Sequence, residues 1–185
     1  KQIQKAEVVE VQSQGNEQQL PDGFRKTIAV KGITFEISAT SSGSINRLVI
    51  QPSGLKIDNS HVEHEIMGSV TGVETADLNS DGSPELLVYV TSAGSGSYGT
   101  IIAYSVNNGR SMSQVYLPPV TDDLVASEGY MGHDVFMVSG NSLIRRFPVY
   151  KKNDTNVNPT GGTREIRYRI INGEASRIFI IDSIK

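Results

Sequence analysis

Many short stretches of alternating or β-branched apolar residues divide this chain, and each stretch ends at a turn-forming group of residues. Gly, Asn, Pro and Ser supply these turns, and Asn-Gly or Gly-Asn between alternating stretches is a strong signal for a β-hairpin. The turn signals are Lys31-Gly32, Pro52-Ser53-Gly54, Asn108-Gly109, Gly140-Asn141 and Asn172-Gly173. They separate the predicted strands Thr27–Val30, Ile33–Ala39, Ile45–Gln51, Leu55–Ile57, Ser69–Leu78, Glu85–Ser92, Gly99–Val106, Val115–Leu117, Val135–Val138, Ser142–Tyr150, Arg164–Ile171 and Ser176–Ile184.

This pattern predicts an all-β fold, a single-domain antiparallel β-sandwich of short strands joined by hairpins. Only Thr121–Ser127 has the pattern of a helical turn, with Asp122 and Asp123 near its start. Residues 1–23 are rich in Gln, Glu and Asn, and we interpret them as a flexible N-terminal lead or tether. The sandwich domain is expected over residues 24–185.

Composition limits the partners that such a domain can have. The 185 residues carry 17 basic and 20 acidic side chains, a net charge of −3, which argues against binding to nucleic acid or a membrane surface. The absence of Cys removes disulfides, thiolate metal sites and Cys nucleophiles. No apolar stretch approaches the roughly 18 residues of a membrane span, and no signal peptide is visible.

The segment Gly94-Ser95-Gly96-Ser97-Tyr98-Gly99 has the spacing of a dinucleotide-binding motif. That motif requires a helix next, whose N-terminus holds the pyrophosphate, but the β-branched residues from Thr100 to Val106 predict a strand. Two interpretations stay open: a flexible connection between strands, or a loop that presents the hydroxyls of Ser95 and Tyr98 to a partner.

The segment from Asp77 to Glu85 spaces its oxygen-bearing side chains as calcium loops do, with candidate ligands Asp77, Asn79, Asp81 and Glu85. The twelfth position of an EF-hand would be Val88, so only a shorter loop closed by Glu85 is compatible with calcium. The alternative is a turn in which Asp77 and Asn79 accept hydrogen bonds from backbone N–H groups.

Histidine and carboxylate pairs give weaker signals for chemistry. His61 and His64 are three residues apart, which places their rings on opposite faces of an extended chain. His133-Asp134 could belong to a hydrolase triad, but the chain has no nucleophile elbow, so we interpret the histidines as solvated or structural. Asp122-Asp123 could be drawn as a glycosidase pair, yet neighbouring carboxylates more often cap a helical turn.

Positive charge is concentrated in the last third of the chain. Arg167 and Arg169 share one face of a predicted strand, opposite Ile166, Tyr168 and Ile170. We expect a solvated outer face here, with a dimer or partner contact as the alternative. The basic residues concerned are Arg145, Arg146, Lys151, Lys152, Arg164, Arg167 and Arg169.

Several motifs occur together and in order. They are Asp77–Leu86, Gly94–Gly99, Tyr116-Leu117-Pro118-Pro119, Glu128–Asp134, Arg145-Arg146-Phe147-Pro148-Val149-Tyr150 and Pro159-Thr160-Gly161-Gly162-Thr163-Arg164. In this combination the chain, from about Gly23 to Lys185, resembles the bacterial periplasmic inhibitors of invertebrate-type (I-type) lysozyme.

The resemblance implies a non-enzymatic β-sandwich that dimerises and protects bacterial peptidoglycan against host lysozyme. Its functional motif, a Ser-Gly-x-Tyr loop that enters the active-site cleft of the lysozyme, falls on Ser95, Gly96, Ser97 and Tyr98. It implies an I-type lysozyme as the partner, no required cofactor, and a periplasmic or lipid-anchored outer-membrane protein of a Gram-negative bacterium. The alternative function is a calcium-stabilised module that binds carbohydrate or another surface ligand.

Overall fold

A computed structural model describes residues 17–20, 23–174 and 176–185, and within these residues the chain forms thirteen strands and one short 3-10 helix, Val120–Asp122. Most of the predicted lead lies outside the described residues, although 17–20 pair with the strand that follows. The strands are β1 (Glu17–Leu20), β2 (Gly23–Val30), β3 (Ile33–Thr40), β4 (Ile45–Ser53), β5 (Val62–Met67), β6 (Ser69–Ala76), β7 (Glu85–Thr91), β8 (Gly99–Asn107), β9 (Ser111–Tyr116), β10 (Val135–Ser139), β11 (Ser142–Pro148), β12 (Thr163–Asn172) and β13 (Arg177–Ile184).

The strands form two sheets. The first sheet has the order β1-β2-β3-β4-β5, so each strand pairs with its neighbour in the sequence. The second sheet has the order β10-β11-β12-β13-β9-β8-β7-β6. All of these pairs are antiparallel except β13 with β9, which are parallel over two residues. The predicted all-β sandwich is confirmed. The parallel pair in the second sheet was not predicted by the hairpin pattern.

The second sheet curls until its two edge strands approach each other, which makes it nearly a barrel. Glu74 on β6 accepts a hydrogen bond from the Val138 N–H on β10, at 3.1 Å. The same carboxylate oxygen accepts a hydrogen bond from the Tyr89 hydroxyl at 2.7 Å, and the ring of Tyr89 stacks on Phe136 with 6.0 Å between centroids. The Glu74 side chain therefore joins the two edge strands, β6 and β10, at the place where a closed barrel would have backbone pairing.

The curled sheet produces two separate hydrophobic cores that share strand β7. Leu86, Val88 and Val90 face the core between the two sheets, whereas Leu87 and Tyr89 face the core inside the second sheet. Because β7 is covered on both faces, its sequence is almost continuously apolar instead of alternating. Strand β7 leads directly into the Gly94–Gly99 segment, so the most thoroughly buried element of the fold carries that segment.

Three local predictions were wrong or incomplete. Leu55–Ile57 is not a strand, because the N–H groups of Lys56 and Ile57 bond instead to the carbonyls of Gly109 and Arg110 in the β8–β9 turn. Strand β5 was missed because the polar His64 interrupts the alternation of apolar residues between Val62 and Ile66. The helical turn begins as the 3-10 helix and then continues as turns, in which Asp123 accepts hydrogen bonds from the N–H groups of Val125 and Ala126.

Within the described residues, no helix has the length and apolar character that crossing a membrane requires.

Candidate functional site

The connection between β7 and β8 is a narrow loop that closes at its neck. The Ser92 N–H donates to the Tyr98 carbonyl at 2.8 Å, and the Tyr98 N–H donates to the Ser92 hydroxyl at 2.9 Å. Beyond this neck the Ser97 N–H bonds to the Gly94 carbonyl at 3.2 Å. Gly94 has a φ of +113° and Ser97 a φ of +43°, so the tight tip uses left-handed backbone conformations at both ends. The loop is therefore closed by hydrogen bonds between its own residues.

The predicted lysozyme-binding residues lie at the tip of this loop. Ser95 is exposed, Gly96 and Ser97 are partly exposed, and Tyr98 is 50% exposed. The ring of Tyr98 lies over Gly96, since a Cβ on Gly96 would come within 2.4 Å of that ring. No residue from Ala93 to Gly99 carries a charge. The tip thus presents two serine hydroxyls, backbone groups and one aromatic ring with a hydroxyl.

Two other segments of the chain support the loop from below. The His133 N–H donates to the Gly96 carbonyl at 2.7 Å, and the side-chain amide of Asn156 donates to the Ser95 carbonyl at 3.1 Å. Gly132 is buried against the loop, and a Cβ there would lie 2.0 Å from the Gly96 carbonyl oxygen. Only glycine permits so close an approach, and its φ of +90° has the same requirement.

A buried ion pair lies directly beneath the loop. The Asp134 carboxylate accepts hydrogen bonds from the Gly99 N–H at 2.7 Å, the Tyr130 hydroxyl at 2.6 Å and the Arg145 Nε at 2.6 Å. The side chains of Arg145 and Asp134 are 5% and 0% exposed. Burial by itself lowers the pKa of Arg145, but the hydrogen bond and charge of Asp134 outweigh it, so the net shift is upward.

The solvated surface predicted for Arg145 is therefore wrong. Its guanidinium lies 5.1 Å from the ring centroid of Tyr130 and 5.2 Å from that of Phe136, inside the second core. Arg146, next in the sequence, is exposed and pairs with Glu165 as expected for an outer face. Alternation along β11 gives these neighbouring arginines opposite environments, and the sequence pattern did not show which one faces inward.

The Asp77–Glu85 segment forms a turn held by its own side chains. Asp77 accepts a hydrogen bond from the Gly82 N–H, and the Asn79 side chain accepts one from the Asp81 N–H. Glu85 is fully buried and accepts hydrogen bonds from the Leu78 N–H and the Ser105 hydroxyl, both at 2.6 Å. Burial, the largest cause, raises the pKa of Glu85.

Within the described residues no group of three or more His, Asp or Glu side chains is arranged to hold a metal ion. Calcium binding at Asp77, Asn79, Asp81 and Glu85 stays a prediction. A thermal melt with millimolar calcium and with chelator tests it, because an ion that binds the folded state raises the melting temperature.

The histidines do not come together, and the geometry does not favour a triad. His61 contacts Glu63 at the surface, whereas the Nε2 of His64 lies 2.7 Å from the Tyr104 hydroxyl. The nearest polar side-chain partner of the His133 ring is Asn156, at 3.4 Å, and the Asp134 carboxylate bonds to Gly99, Tyr130 and Arg145. A hydrolase built on His133 and Asp134 would need the carboxylate to orient the imidazole, and here it serves other partners.

Sequence reasoning identified the loop but missed its support. Tyr130, Gly132, His133 and Asp134 are in one of the motifs that carried the resemblance, and Arg145 is in another, yet none of them was predicted to support the loop. The sequence offered one signal for a buried ion pair: Asp134 and Arg145 are opposite charges next to or within predicted strands. Asn156 had no such signal.

Comparison with protein families agrees with the resemblance over part of the chain. The family model of the periplasmic lysozyme inhibitor of I-type lysozyme matches residues 60–127, a segment that contains β5 to β9 and the Gly94–Gly99 loop. Comparisons with curated proteins and with solved structures gave no match. In its β5 to β9 segment the chain is therefore similar to the periplasmic inhibitors of I-type lysozyme.

Proposed function

We propose that this protein is a non-enzymatic inhibitor of an I-type lysozyme, which it blocks by inserting the loop Ser95-Gly96-Ser97-Tyr98 into the active-site cleft. The observation that carries the proposal is the position of this loop within the segment matched by the inhibitor family. The name of that family also supports a periplasmic location. A homodimer stays a prediction from the resemblance.

The chemistry of the loop suits a lysozyme cleft. Such a cleft holds one protonated carboxylic acid and one ionised carboxylate, which between them need hydrogen-bond donors and an acceptor. The hydroxyls of Ser95 and Tyr98 can donate or accept, and the tip brings no charge that would lose solvation on binding. An ionised carboxylate that accepts hydrogen bonds from neutral donors stays satisfied when water is expelled.

Tyr98 also provides the apolar contact that such an interface needs. Its ring is 50% exposed and is held edge-on by Tyr130, with 5.7 Å between ring centroids. A tyrosine fixed in this way loses little conformational freedom on binding, and tyrosine is common among residues that dominate binding energy. Two further apolar side chains are exposed next to residues that contact the loop, Met131 before Gly132 and Val157 after Asn156.

Titration into active lysozyme tests the proposed function. We expect stoichiometric loss of cell-wall lysis by an I-type lysozyme, with weaker or no effect on lysozymes of the chicken and goose types, and no turnover of substrate by this protein. Unchanged lysis at a large molar excess over every I-type lysozyme tried would remove this function.

A further inference from the structure

We infer that Asp134 is a positioning residue for the inhibitory loop and that it acts together with Arg145 and Tyr130. The inference rests on the proposed function, because it concerns the conformation in which the loop meets the lysozyme. Asp134 does not touch the partner itself, since its side chain is 0% exposed.

The first step of the argument is the hydrogen bond from Gly99 to Asp134. Gly99 follows Tyr98 directly, and its N–H donates to Oδ2 of Asp134 at 2.7 Å. A Cβ on Gly99 would lie 2.6 Å from the Asp134 Cβ, so the backbone and the carboxylate are in direct contact. Since the two residues are far apart in the sequence, this contact fixes the exit of the loop relative to β10.

The second step is the fixation of the carboxylate itself. Its other oxygen accepts the Arg145 Nε at 2.6 Å, and the Tyr130 hydroxyl donates to Oδ2 while accepting a hydrogen bond from Arg145 Nη2 at 2.8 Å. The Tyr130 ring meets Phe147 on one side and Tyr98 on the other. The backbone that follows Tyr98 and the ring of Tyr98 are therefore both in contact with the buried group of Asp134, Arg145 and Tyr130.

The third step is the cost of this arrangement. A buried ion pair is often no more stabilising than apolar side chains of similar volume, because both charges lose their hydration. Apolar residues, however, could not accept the Gly99 N–H, which would then be a partly buried donor without an acceptor. The ion pair of Asp134 and Arg145 therefore provides a fixed hydrogen-bond acceptor at the base of the loop, which apolar side chains could not provide. A loop held in its bound conformation loses less entropy when it binds.

Two double variants separate positioning from stability. Asp134→Ala with Arg145→Met removes both charges and the acceptor, whereas Asp134→Asn with Arg145→Met removes both charges but keeps a carbonyl oxygen for Gly99. We expect the Ala variant to lose about tenfold or more of its affinity for I-type lysozyme and the Asn variant to stay within about threefold of the parent. Leu48→Ala, in the other core, is a control that lowers stability without changing the affinity of the folded protein.

A second measurement needs no lysozyme. Amide hydrogen exchange of the free protein should show Gly99 exchanging about tenfold faster in the Ala variant than in the Asn variant, with Ile37 in the first sheet exchanging equally in both. Tyr130→Phe, a smaller change, should also speed exchange at Gly99. If the two double variants bind lysozyme equally and protect Gly99 equally, the positioning role is overturned. If the parent does not inhibit lysozyme, the proposed function fails while the exchange data still decide the positioning role.

Discussion

Two tyrosines close in the sequence have opposite environments: Tyr98 lies in the loop, and Tyr104 lies in the strand that follows it. Tyr98 is 50% exposed at the loop tip, whereas Tyr104 is 7% exposed in the core between the sheets and contacts His64 through its hydroxyl. The difference follows from their positions, because Tyr98 lies in the Gly94–Gly99 segment and Tyr104 in the predicted strand Gly99–Val106. This pair makes a matched test of function against stability.

Replacing Tyr98 with Ala should cost about 2 kcal/mol or more of binding to I-type lysozyme, roughly thirtyfold in affinity, because it removes the apolar anchor. Stability should change by only about 0.5 kcal/mol, since half of the ring is exposed. Ser95→Ala should cost about 1–2 kcal/mol of binding through the loss of one hydroxyl. Isothermal titration against the lysozyme and thermal melts measure the two quantities.

Tyr104→Ala is the control and should show the opposite ranking, with about 3 kcal/mol lost from the free energy of unfolding and normal affinity of the folded fraction. A Tyr98→Ala variant that unfolds, or that inhibits as well as the parent, would mean that the loop is structural.

His64 should make stability depend on pH. Burial lowers its pKa below the usual 6.5, so between the two values the unfolded chain binds more protons than the folded one. Stability should therefore fall as the pH drops below about 6.5 and continue falling until the folded-state pKa is reached. Melting temperatures of the parent and of His64→Gln between pH 4.5 and 7.5 measure this difference.

At the scale of elements, the passage from one sheet to the other depends on a single residue. Gly68 lies between β5 of the first sheet and β6 of the second, with a φ of +128°. A Cβ there would meet the Thr91 carbonyl oxygen at 2.1 Å, and the Gly68 carbonyl accepts a hydrogen bond from the buried Asn46 side chain at 2.7 Å. The backbone at this corner therefore has no room for a side chain.

Gly68→Ala should lower the free energy of unfolding by at least about 2 kcal/mol, because the change adds both backbone strain and a clash with backbone atoms. Gly43→Ala is the matched control: nothing lies within 4 Å of its added Cβ, so its melting curve should stay close to that of the parent. Equal chemical denaturation midpoints for the two variants would contradict this account of the corner.

Strands and hairpins were predictable where alternation and turn residues agreed, as in β3, β8 and β11. Strand β5 was not, because the polar His64 takes the inward position between Val62 and Ile66 and so interrupts the alternation of apolar residues. In the site, the neutral Gly-rich loop was visible as a local motif. Its support was not, because hydrogen bonds to Asp134 and Asn156 join residues that are distant in the sequence.

At the scale of the whole molecule, the two hydrophobic cores meet at β7. The family match covers only part of the chain that builds these cores. The matched residues 60–127 include the loop and the strands on either side of it, but not Asp134 or Arg145. The curled half of the second sheet, with β10 to β13, follows that segment and supplies the buried pair beneath the loop. Motif recognition identified the loop, and only the three-dimensional fold identifies what holds it.

The parallel pairing of β13 with β9 has a consequence for folding. Val115 on β9 pairs with Arg177 on β13, so the two halves of the second sheet join through the last strand in chain order. Such long-range pairing gives a high contact order, which slows folding. During synthesis the loop emerges well before β13, and it acquires its support from Asp134 only when the later strands have docked. A nascent or clipped chain that lacks β13 would therefore expose Ser95 to Tyr98 before the loop has its support from the second half of the sheet.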